Sequence, residues 1–127
     1  MDAKARAAVV KRADEVELQP VAAGTATRRQ VLLDARDGAP NFALRRFIMG
    51  AGGGMPRHTN TVEHEQYVLR GRARIAIGER VYDVGPDDVL FIPAGAPHSY
   101  EVVEAPFEFL CVVPNAPDRI EIVDPAC

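Results

Sequence analysis

From Glu17 onward this chain is cut into short apolar runs by breaks rich in Gly and Pro. They are Asp37-Gly38-Ala39-Pro40, Gly52-Gly53-Gly54, Arg70-Gly71, Gly78-Glu79, Gly85-Pro86-Asp87-Asp88 and Pro93-Ala94-Gly95-Ala96-Pro97. That cadence constrains the fold more than any other feature. Gly and Pro weaken helix interiors, so short runs between such breaks read as strands joined into an antiparallel sandwich or barrel. The runs fall at 30–33, 42–49, 65–69, 72–77, 80–84, 89–92, 98–103 and 107–113. No long amphipathic helix competes with them. Gly52-Gly53-Gly54 has no Lys-Ser/Thr after it and no expected helix, so it reads as a flexible turn carrying Pro56 and His58 to one end of the barrel, not as a phosphate cradle. Residues 2–16, rich in Ala, Lys, Arg and Glu, are either a short helix or a frayed tail. With no linker inside it, a chain of 127 residues reads as one domain: an arm at 1–16 and a barrel core over about 30–114.

Charge and composition remove several classes of function. A net charge of −3 gives no basic face for phosphates, so no nucleic-acid partner is expected. No apolar run is long enough to span a bilayer, and the N-terminus lacks the order of a signal peptide, so no membrane partner is expected and the expected location is the cytoplasm. The two cysteines, Cys111 and the terminal Cys127, make no disulfide framework.

The chain has three histidines, at positions 58, 64 and 98. His58 and Asn60 lie two apart, so on a strand both point to one face. His98 follows the Pro93–Pro97 corner and is within reach of the others if the sheet closes on itself. Imidazole nitrogen suits Zn, Fe, Ni, Cu and Mn. From spacing alone, a metal site and a set of ordinary hydrogen-bonded or solvated histidines are evenly matched.

The surrounding residues resemble the cupin family. In the stretch Gly52 to Gly71, Gly52, His58 and Gly71 stand at the glycine, first histidine and closing glycine of the first cupin motif, and Pro93-Ala94-Gly95 with His98 keeps the core of the second. Glu63-His64-Glu65, Val68-Leu69 with Gly71, and Phe109-Leu110-Cys111-Val112-Val113-Pro114 resemble a branch in which histidine replaces the usual metal-binding glutamate. The resemblance spans roughly residues 40–114 and implies an all-β fold: an antiparallel double-stranded β-helix, or jelly-roll barrel. It also implies one divalent metal ion (Fe, Mn, Ni, Zn or Cu) held by His58, His64 and His98. The chain departs from the pattern at Asn60, where a second histidine is usual and an amide is a weaker ligand; at Val102, in place of an asparagine; and at Asp87, in place of the glycine opening the second motif. Three imidazoles with one weak position fit a catalytic metal site better than a closed structural one.

Alternation places further residues. Phe107, Phe109, Cys111 and Val113 share one face of a strand, and Glu108 is expected on the outer face. Gln66 shares the parity of His64, so Gln66, Phe109 and Cys111 are expected to line the substrate pocket. Cys111 is either a small buried residue or a group acting beside the metal. Tyr67 and Tyr100 read as packing residues. Arg45 and Arg46 are adjacent on a strand, so at most one points inward, where it would bind an acidic substrate; the outward, solvated reading is the preferred one. Two functions follow for such a cavity. One is a metal-dependent oxidoreductase, dioxygenase-like, acting on a small organic substrate; the other is a non-catalytic small-ligand binder or sensor. Metal-dependent isomerase or hydrolase chemistry also fits the family. Exposed sheet edges and an apolar outer face in so short a chain need covering, and the resemblance to cupins implies that a homodimer covers them, with the N-terminal segment lying across the partner.

Overall fold

The computed structural model describes residues 7–123; residues 1–6 of the expected arm, and Cys127, lie outside them. Eight strands follow in order: β1 Gln19–Pro20, β2 Thr25–Leu33, β3 Phe42–Asn60, β4 His64–Ile77, β5 Arg80–Val84, β6 Val89–Ile92, β7 His98–Pro114 and β8 Ile120–Ile122. Their order is β1-β2-β3-β7-β4-β5, with β6 on β4 and β8 on β3, and every pairing is antiparallel. The architecture is the expected antiparallel jelly-roll barrel.

Three long strands carry it. β7 lies between β3 and β4 at both its ends, and both ladders break register partway, between Met49 and Gly54 and between Val68 and Ala73. Such shifts bend strands without ending them. The Gly52-Gly53-Gly54 turn is therefore a correction: β3 runs through it as a bulged bend. Likewise, four expected short strands form two continuous ones, β4 and β7. At Gly71 a side chain would strike the Pro106 carbonyl and the Glu104 carbonyl, and its φ of 79° is left-handed, so β4 needs glycine to cross β7 at this bend. Asp87, at the position where the motif has glycine, takes a φ of 73° itself.

Met49, Val68, Ile75, Ile92, Phe107 and Phe109 fill the interior. The described part of the arm holds one 3-10 turn, Ala13–Glu15, and rests on its own barrel. The Gln30 amide donates to the Ala13 and Val16 carbonyls, each at 2.8 Å, and Lys11 pairs with Asp37 at 3.0 Å. β1 and β8 went unread in the sequence because two and three residues carry no period.

Candidate functional site

The three histidines start from separate elements and meet at one end of the barrel. His58, near the end of β3, is in register with His98 at the start of β7. His64 opens β4 opposite Ile92, and Asn60 ends β3 opposite Ile120 of β8. All four are buried, and all four line one cavity with Gln66 and Phe109. The His58 and His98 ring centroids are 4.2 Å apart, and those of His64 and His98 are 5.8 Å apart.

Each of these groups is held from behind. His58 Nδ1 lies 2.7 Å from the Pro56 carbonyl and His98 Nδ1 lies 2.9 Å from that of Ala96. A carbonyl only accepts, so both Nδ1 atoms carry a proton, and Nε2 of a neutral ring presents a lone pair. His64 Nδ1 lies 3.5 Å from Cys111 Sγ. The Asn60 amide nitrogen donates to Asp118 at 3.0 Å, and the same carboxylate accepts from the backbone and hydroxyl of Thr61. Because a carboxylate only accepts, it sets which way the amide is turned and leaves Oδ1 on the far side. His64 Nε2, His98 Nε2 and Asn60 Oδ1 are buried with no hydrogen-bond partner.

The electrostatics keep His64 and His98 neutral. Burial, then the Arg45 guanidinium and the His98 ring, pushes His64 down to about 3, and burial pushes His98 down to about 4. Burial drives the Tyr100 phenol up and the Cys111 thiol up, so both stay protonated at neutral pH.

As a donor set, two or three neutral imidazoles and an amide oxygen suit a first-row divalent ion. Rings sharing an ion through Nε2 at about 2.0–2.1 Å stand roughly 4.5–5.3 Å apart, which the two measured separations bracket. Among the described residues, no group of three or more His, Cys, Asp or Glu side chains already stands in a geometry that could hold an ion. Binding would have to bring His64 closer to His98 and part His58 from His98 slightly.

The structure changes or extends the sequence reading at four residues. Tyr100 is a wall of the cavity: its oxygen accepts from Gln66 at 2.7 Å and its ring stacks on Phe109. Its spacing of two from His98 was the signal. Arg45 lines the cavity instead of facing solvent, with Nη2 3.3 Å from Cys111 Sγ. Glu108 keeps the expected face, opposite Phe109 and Cys111, but is buried there, bonded by Arg46 and Arg70. Arg29, unread because the sequence strand began at position 30, also lines the cavity. The cavity is small, about 40 Å³.

A narrow pocket at one end of an antiparallel barrel, walled by imidazoles, amides and guanidinium groups together with apolar side chains, defines a jelly-roll barrel with an internal cavity. The chain belongs to the cupin family: the Cupin domain profile matches residues 45–113. Its fold is similar to that of the polyketide cyclase RemF from Streptomyces resistomycificus, at 31% identity, 92% of this chain, 89% of that one and a TM-score of 0.79. It is also similar to a cupin 2 conserved barrel domain protein from Rhodopseudomonas palustris (27%, 87% and 79%, TM-score 0.78). A third similar structure is a cupin 2 domain-containing protein from Halorhodospira halophila (32%, 79% and 72%, TM-score 0.73). No curated protein matches the chain closely enough to count as a relative. No helix among the described residues is long and apolar enough to cross a membrane.

Proposed function

We propose that this cupin holds one divalent metal ion with His58, His64, His98 and Asn60 and converts a small, enolisable organic substrate, with dioxygenase-like oxidation as the leading reaction. The supporting observation is the trio of buried, unpartnered atoms His64 Nε2, His98 Nε2 and Asn60 Oδ1. A buried polar atom without a partner costs about 1–3 kcal/mol, and three around one cavity are a standing demand for a ligand. A bound ion would supply Lewis acidity toward a substrate oxygen and a place for dioxygen. The chain's own residues do the rest. Nδ1 contacts on His58 and His98 fix ring orientation, Asp118 fixes the Asn60 amide, and the stacked Phe47, Phe109 and Tyr100 rings keep bulk water out.

The similarity to a polyketide cyclase adds ring closure of an enolisable substrate as a second reaction. Non-catalytic binding is favoured by a different observation: the cavity lining includes no carboxylate, and its Tyr100 phenol is held protonated, so a general base is not evident. The test is reconstitution with Fe(II), Mn(II), Ni(II), Cu(II) or Zn(II), followed by assay of enols, diketones and phenols with and without oxygen. Oxygen uptake abolished by His64→Ala supports oxidation, and product formed anaerobically supports cyclisation. No turnover with any metal, together with a ligand-induced rise in Tm, would leave the binding module.

For assembly we propose a homodimer. Val81, Val89 and Phe91 are each more than half exposed on the β5–β6 side, an apolar surface that a second copy would cover. Light scattering is expected to give twice 13.8 kDa; a monomer at micromolar concentration would sink it.

A further inference from the structure

Arg29 and Arg45 are the cationic part of the cavity wall. Val31 is in register with Arg45 and Arg29 with Phe47, which makes the two arginines diagonal neighbours on the inner face, about 7–8 Å apart at the backbone. None of the ion pairs among the described residues involves either of them. The Nε atoms of both are buried without an acceptor. Arg45 lies 5.1 Å over the Phe47 ring and gives Nη2 to a thiol, neither of which neutralises it. Arg46, the next residue, turns to the opposite face and does find a carboxylate, in Glu108. Two like charges side by side with unsatisfied N–H groups are costly unless an anion sits between them.

The cavity limits that anion. Guanidinium groups match the planar, two-oxygen edge of a carboxylate, and the space admits a compact head only. Arg29 and Arg45 line the same small cavity as His58, His64 and His98, so a carboxylate held at the arginines puts an oxygen on the next carbon on the imidazole side. We propose that Arg29 and Arg45 bind the carboxylate of a small 2-oxo acid, with its enolisable oxo oxygen toward the imidazoles. The orientation of the far end rests on the metal reading above; the arginine end does not.

The test uses the full chain stripped of metal with a chelator, titrated calorimetrically with pyruvate, with its neutral ester methyl pyruvate, and with sulfate. Pyruvate is expected to bind with one site, at least about tenfold tighter than the other two. Arg29→Gln and Arg45→Gln are each expected to weaken pyruvate at least about tenfold, and Arg45→Lys, which keeps the charge but loses the fork, to fall between. Equal binding of ester or sulfate, or unchanged affinity in the glutamine variants, overturns the proposal; should Arg45→Gln not fold, Arg29→Gln and Arg45→Lys decide. Metal uptake is measured separately. A chain that loads metal but ignores pyruvate refutes this inference alone, and one that binds pyruvate through the arginines but loads no metal refutes the metal reading alone.

Discussion

Glu108 and His98 lie on the same strand, and each is 1% exposed, yet the protein treats them in opposite ways. Both Glu108 oxygens are bonded, one by Arg46 and one by Arg70. His98 has Nδ1 bonded to a carbonyl and Nε2 facing a cavity with nothing on it. The contrast extends to their neighbours: Arg46 is paired and Arg45 is not. Burial of a polar group is therefore not by itself a sign of function. A cluster whose members satisfy one another stabilises the fold; a cluster that leaves several atoms aimed at one space is arranged for something that is not part of the chain.

The largest effect should come from breaking the closed cluster. Glu108→Gln leaves Arg46 facing a neutral amide at a buried site, and loss of one partner of such a pair costs about 3–5 kcal/mol. Because Arg70 is largely exposed, most of that loss belongs to Arg46. Urea denaturation measures it, and a loss below about 1 kcal/mol would mean the cluster is not structural.

The open cluster should show itself in acid. His64 and His98 have folded-state pKa values of about 3 and about 4, below the 6.5 of an unfolded imidazole. The unfolded chain thus binds protons first, so their contribution is intact above pH 6.5 and is lost as pH falls toward 4. Each group approaches a slope of about 1.4 kcal/mol per pH unit in that window. Stability measured from pH 7 to 4.5 should decline accordingly, and a metal ion bound by these rings should be released over the same range. A flat profile would contradict neutral, buried rings.

Much of this arrangement was legible beforehand. The Gly and Pro breaks placed β5 and β6 at their observed limits, and period-two alternation put Gln66, Phe109 and Cys111 on the inner face. Arg45 could not be read that way, because both faces of its strand are apolar: Ala43, Phe47 and Met49 on one, Leu44 and Ile48 on the other. Glu108 looked like an outward charge because its two arginine partners come from distant strands. Asp118 gave no signal at all; its role depends on β8 folding back onto β3.

That role is separable from stability. Asp118→Asn can turn either end of its amide toward Asn60, so the Asn60 oxygen is no longer held toward the cavity. A loss of about 1 kcal/mol in stability and a 10–100-fold loss of metal affinity are expected. Unchanged affinity would remove Asn60 from the ligand set.

The smallest stability effect should accompany the largest loss of binding. His64→Leu replaces an imidazole that has an unpartnered nitrogen with an apolar side chain of similar size, so folding should change by no more than about 1 kcal/mol. The decisive measurement is metal content, by mass spectrometry, of untagged native chain and His64→Leu after loading with Zn(II), Ni(II) or Mn(II) and desalting. About one ion per native chain and almost none in the folded variant is the expected result. A native chain that retains no ion of any of these metals, or a variant that retains as much as the native chain, would contradict the assignment of the open cluster to a metal.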